Sequence, residues 1–156
     1  MNIKTTVTRR YQTIVDETAA SFGGGRPLLP PEGWIATVRK ALGMSGAQLA
    51  RRLGLTRARI SQAEQAERDG GVTLKTMHAM AQAMGCRFVY AIVPDGRIED
   101  VITARAREKA QALVDRAGGH MALENQALDA RQMSQEVERL TQELVRAMPS
   151  DLWTDK

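Results

Sequence analysis

The chain has 156 residues, 43% of them hydrophobic but only 4% aromatic, so it can bury a core, and that core must be aliphatic, drawn from Leu, Ile, Val, Met and Ala. No apolar run approaches the ~18 residues of a membrane span, MNIKTTVTRRYQTIV has no signal-peptide core, and the lone Cys86 excludes an intramolecular disulfide; the expectation is a cytoplasmic protein with no membrane partner. The net charge of +4 is uneven: residues 1–60 carry ten Lys and Arg against three Asp and Glu, residues 61–96 three against four, and residues 97–156 nine against eleven. A polyanion partner is expected at the basic part, and a different task for the C-terminal part.

Residues 4–21 read as a helix with Val7, Tyr11, Ile14, Val15 and Thr18 as its apolar stripe. FGGGRPLLPPEG then breaks the pattern and marks a linker, and no GK[ST] follows its glycines to make a phosphate loop. From Pro31 the pattern is densely helical. Trp34, Ile35, Val38 and Leu42 line one face of a helix ending at Gly43. Ser45 is an N-cap candidate before Leu49, Ala50 and Leu53, and Thr56 is another before Ile60 and Ala63. Thr73 caps a fourth helix with Leu74, Met77, Met80, Ala81 and Met84 inward, stopped by Gly85.

CRFVYAIVP is the strongest strand signal in the chain. Phe88, Tyr90 and Ile92 point one way and Val89, Ala91 and Val93 the other, so both faces call for burial, and Cys86 before them reads as a buried thiol. A lone strand cannot satisfy its own backbone. The simplest partner is the same strand of a second copy, in an antiparallel ribbon across a two-fold axis; pairing with IKTTVT or an irregular apolar tail are the alternatives. Residues 97–118 read as a long amphipathic helix ended by Gly118–Gly119, and RQMSQEVERLTQELVRAM as another, with Met133, Val137, Leu140 and Leu144 in its seam.

MSGAQLARRLGLTRARISQAE, residues 44–64, keeps helical spacing yet is interrupted by Gly54, with four arginines around the break. Two helices joined by a tight turn explain this, since glycine takes positive φ without steric penalty. Ala50 is small where the helices cross, and Leu49, Leu53, Leu55 and Ile60 fill the wedge between them. This is the pattern of a helix-turn-helix. The second helix then exposes Arg57, Ala58, Arg59, Ser61 and Gln62, with both arginines at the end that enters a major groove. Arg bonds guanine bidentately, Gln does so with adenine, and an Ala methyl suits the thymine methyl. Thr56 and the helix N-terminus suit phosphate. His78, read as exposed, and His120 have no metal-ligand spacing, and no nucleophile, Walker or dinucleotide motif occurs, so no enzyme, metal or cofactor is expected.

Residues 32–85, through SGAQLARRLGLTRARISQAE, resemble the Xre-type helix-turn-helix domain of lambdoid phage repressors and Cro. The resemblance implies base contacts at Arg57, Ala58 and Gln62, and places Thr56, Arg59 and Ser61 near phosphates or bases. It also implies a buried ion pair between Arg39 and Glu64 that fixes the recognition helix. Two departures bear on the phosphate clamp: Gly46 stands where the family often has Gln, and the loop QAERDGGVT is longer than usual, with Arg68 the residue that would compensate. The basic N-terminal helix, PPEGW, CRFVYAIVP and MALENQAL together resemble the family called mobile mystery protein A. That resemblance implies an autoregulated, toxin–antitoxin-like pairing with a Fic-domain protein. Fic inhibitors carry [S/T]xxxE[G/N]; Glu124 and Asn125 match its second half, while His120 stands in the Ser/Thr position.

The expected architecture is all-α: an N-terminal helix and linker (1–30), a lambda-repressor-like helix-turn-helix domain (31–86), one dimerising β-strand (87–94) and a C-terminal helical extension (95–156). The expected function is that of a homodimeric repressor reading a double-stranded operator in the major groove, with inhibition of a Fic-domain partner as the alternative.

Overall fold

The computed structural model describes residues 3–23, 29–124 and 128–155. Among these residues seven helices follow in order: α1 (Ile3–Ser21), α2 (Trp34–Ala41), α3 (Gly46–Leu53), α4 (Arg57–Arg68), α5 (Leu74–Ala83), α6 (Ile98–Leu123) and α7 (Ala130–Ala147). They form two compact units, Gly25–Ala91 and the pair Met1–Gly24 with Ile92–Lys156. Among the described residues no helix is long and apolar enough to cross a membrane.

The Gly25–Ala91 unit holds α2 to α5. Three of its helices begin where the sequence supplies a cap. Ser45 Oγ accepts from Gln48 N at 3.1 Å while Ser45 N donates to Gln48 Oε1 at 2.7 Å. Thr56 Oγ1 accepts from Arg59 N and Thr73 Oγ1 from Thr76 N. α3 ends at Gly54, left-handed at φ 65°, which lets Leu55 N bond back to Ala50 O at 2.8 Å and redirects the chain into α4. Ile35, Leu49, Ala50, Ile60, Ala63, Met77, Met80 and Met84 make the core, and Phe88 packs against it.

Four inward assignments are corrected. Trp34, Leu42, Leu55 and Leu74 are exposed; Leu55 lies in the turn between α3 and α4 rather than in the wedge. α2 is only two turns long, so Ile35 and Ala36 make its buried face and Leu42 falls in the cap. Leu74 opens α5, one turn before its buried Met77 and nearly two before Met80.

The expected β-strand is not formed. Residues 86–94 carry no regular structure, and no strand occurs among the described residues. A ladder needs a second strand, and IKTTVT, its one candidate partner in the chain, is wound into α1. Phe88 is half-buried; its ring meets His78 edge-on at 5.2 Å and stacks on Tyr90 at 5.8 Å. Val89, Tyr90, Ala91, Ile92 and Val93 are exposed, Ile92 at 93%. Cys86 is exposed rather than buried, because the turn at Gly85 carries it past the end of α5.

The other unit is built on α6 and α7. Ala106 and Ala110 are fully buried, and such small residues let helix axes approach closely. Val114 and Val137 pack beside Ala110, with Met133, Leu140 and Leu144 at the edge of the cluster. Leu152 of the C-terminal tail fills a second cluster with Ile102 and Ala106. The tail is tied to α6: Arg105 Nε donates to Leu152 O at 2.8 Å and Arg105 meets Asp155 at 2.6 Å, while Lys109 meets Asp151 at 2.8 Å. On α1, Asp16 accepts from the first N–H of α6, that of Ile98, at 2.9 Å. Val7, Tyr11 and Ile14 of its expected stripe are exposed. Gly118–Gly119 does not end α6, which runs on to Leu123. A Cβ at Gly118 would lie 3.3 Å from Met133 Cε, so a glycine there suits close packing on α7.

Candidate nucleic-acid interface

The face of interest belongs to α4. Its back is set by composition: Ile60 and Ala63 are buried, and Glu64 and Glu67 are half-buried beside them. Helical spacing then turns Arg57, Ala58, Ser61 and Gln62 outward, and all four are exposed, as is Arg59. A Cβ built on Gly46 would lie 3.7 Å from Arg57 Cγ, so the first turns of α3 and α4 sit side by side. On the other flank, Arg59 and Gln62 line a cleft of about 270 Å³ with Thr73 and Thr76 at the start of α5. Three helix N-termini and their free N–H groups thus stand near the two arginines, an arrangement suited to anionic oxygen.

The electrostatics of this face differ from those around it. Among the described residues, no carboxylate or hydrogen-bond partner engages the Arg57 or Arg59 guanidinium. Two neighbouring cations are occupied. Arg52 Nε donates to Ala83 O at 2.6 Å, and Lys40 meets Glu32 at 2.6 Å. The hydrogen bond from the Lys40 ammonium holds the Glu32 carboxyl below its usual value. The Thr56 hydroxyl is used as a cap acceptor, but its proton remains available to a phosphate oxygen.

Arg39 and Glu64 meet behind this face. Arg39 Nε lies 2.7 Å from Glu64 Oε1, Nη2 lies 3.4 Å from Oε2, and the two side chains are 14% and 12% exposed. Arg39 Nη1 also donates to Met44 O at 2.9 Å, tying the turn before α3. Arg68 is not with the other candidates. It is in the last turn of α4, eleven residues or ~16 Å from Arg57, and donates to Gln65 Oε1, whose own amide holds Asp69.

Sequence reasoning missed Glu67. Its Oε1 accepts from Trp34 N at 2.6 Å and its Oε2 from Ile35 N at 2.9 Å, closing the N-terminus of α2. The available signal was the absence of a capping side chain at Gly33, together with a second carboxylate one turn after Glu64.

In the other unit, Glu124 is the exposed C-cap residue of α6 and His120 lies in its last turn. Asn125 lies outside the described residues. Among the described residues, no three His, Cys, Asp or Glu side chains gather as a metal ion would require.

Residues 35–90, about a third of the chain, match a family model described as helix-turn-helix. The match spans α2 to α5 and the segment carrying Phe88, and it supports a DNA-binding regulator. Searches of curated proteins and of solved structures found no match.

Proposed function

We propose, from the helix-turn-helix match and the geometry of α4, that the chain is a sequence-specific DNA-binding repressor that reads an inverted repeat as a homodimer. The observation that carries this reading is that Arg57 and Arg59, on the exposed face of a helix packed into the core on its other side, have no partner among the described residues. Two arginines left without counter-ions at adjoining helix N-termini repel each other and gain most from an anionic partner. Arg57, Ala58 and Gln62 offer a fork for guanine, a methyl for thymine and an amide for adenine on one helical face. Thr56, Ser61, Arg59 and the cleft beside α5 offer donors to the backbone phosphates.

The segment 86–94 supports the homodimer. Its stacked Phe88 and Tyr90 share one side, as alternate residues of an extended chain do, and its apolar neighbours are exposed. A second copy would supply the missing strand and place two α4 helices in successive major grooves, about 34 Å apart. Autoregulation, and pairing with a Fic-domain protein, follow from the resemblance to mobile mystery protein A and form the outer layer of the proposal.

Fluorescence anisotropy tests it with DNA from upstream of the protein's own coding sequence, at two salt concentrations. The wild type binds tightly and loses affinity steeply with salt; Arg57→Ala loses specific binding. Equal, weak binding by both proteins to any DNA contradicts the reading.

A further inference from the structure

Arg57 and Gln62 can read bases only if α4 is held at a fixed angle. α3, α4 and α5 each start on a side-chain cap of their own, whereas α2 starts at Gly33, which offers none. The acceptor for α2 comes from α4 itself: both carboxylate oxygens of Glu67 are taken up by Trp34 N and Ile35 N, at 2.6 and 2.9 Å. The carboxylate also faces the positive end of the α2 dipole. Gly33 is part of the seat. It is buried, its φ is 82°, and a Cβ there would lie 2.8 Å from Glu67 Oε2.

One turn earlier on the same face of α4, Glu64 holds Arg39, toward the far end of α2. Two carboxylates ~4.5 Å apart along one helix thus grip the other helix at two places along its length. A single grip leaves a pivot; two remove it. Glu67 is ten residues, or ~15 Å, from Arg57, so a swing of ~4° about that region moves the arginine by ~1 Å. That is beyond the ~0.5 Å within which a preorganised contact works.

We infer that Glu67 is a positioning residue for DNA recognition: it touches no DNA and sets the angle at which α4 presents Arg57 and Gln62. The inference rests on the DNA-binding reading of α4.

The test uses the full chain, as wild type, Glu67→Gln and Glu67→Ala. The probes are a duplex selected by the wild type from random sequence and a scrambled duplex of the same composition. Titrations run at two salt concentrations and at a temperature where circular dichroism shows each protein folded. Glu67→Gln keeps one acceptor oxygen and loses the charge. It binds the selected duplex about tenfold more weakly, in the range of one lost base contact. Its affinity for the scrambled duplex and its salt slope stay those of the wild type, because no phosphate contact is removed. Glu67→Ala shows a larger loss of the same kind; should it fail to fold, Glu67→Gln decides alone. Wild-type affinity of Glu67→Gln for the selected duplex overturns the inference, and so does an equal loss on both duplexes, the mark of a merely structural role. A wild type that selects no sequence at all overturns the DNA-binding reading and the inference with it.

Discussion

The two units differ in how the charge on their central helices is paired. In the α6–α7 unit, the basic residues of the central stretch of α6 are matched: Arg105 with Asp155 and Glu108, Arg107 with Glu138, and Lys109 with Asp151. In the Gly25–Ala91 unit, the α2 cations Arg39 and Lys40 are matched by Glu64 and Glu32, while Arg57 and Arg59 on the front of α4 have no carboxylate partner among the described residues. Among the described residues Arg116, Arg131 and Arg146 of the α6–α7 unit are unpaired as well, so what sets α4 apart is that its two unpaired arginines share one first turn beside the start of another helix. The cores differ as well. One is wedged by Leu49, Ile60 and three methionines, the other is brought close by Ala106 and Ala110.

That contrast can be broken by substitution. The largest effect is expected from Leu49→Ala. Leu49 is fully buried between crossing helices, and the cavity costs about 4 kcal/mol in a urea titration. A loss below 1 kcal/mol would mean that the crossing collapses to fill the gap. Glu64→Ala comes next. It strands Arg39 in a setting only 14% exposed and costs about 3 kcal/mol by the same measurement. In the other unit the sign of the size change reverses. Ala110→Leu overpacks the α6–α7 contact and costs about 2 kcal/mol by the same measurement. An unchanged midpoint for Ala110→Leu would contradict the close approach.

The smallest effect comes from an exposed pair. Lys40 holds the Glu32 carboxyl below its unfolded value. The pair's contribution is therefore present above the ordinary Glu range and is lost as pH falls through the lowered folded value. Glu32→Gln should leave the midpoint nearly unchanged at pH 3 and lower it slightly at pH 7. A larger gap at pH 3 than at pH 7 would reverse the assigned sign.

The parts that were legible in the sequence are local. Ser45, Thr56 and Thr73 each cap the helix they precede, and Gly54 turns left-handed where a helix had to break. Hydrophobic spacing placed Leu49, Ala50, Ile60 and Met80 in the core for the same reason. The parts that were not legible depend on distant partners. Glu67 serves a helix more than thirty residues away, so nothing near it announces the role. Residues 87–94 have strand propensity, but propensity needs a second strand to become a ladder. Gly118–Gly119 reads as a stop, yet the helix runs through it to pack on Met133. Cys86 follows the turn that exposes it and not the apolar run it precedes.

The central claim is that α4 reads DNA sequence, and site selection tests it most directly. The full-length protein is used to enrich binding duplexes from a random pool at moderate salt. The account predicts an inverted repeat whose half-sites are centred about one helical turn apart, lost when the selection is repeated with Arg57→Ala. A pool that stays random, or the same enriched sequence with both proteins, would contradict it.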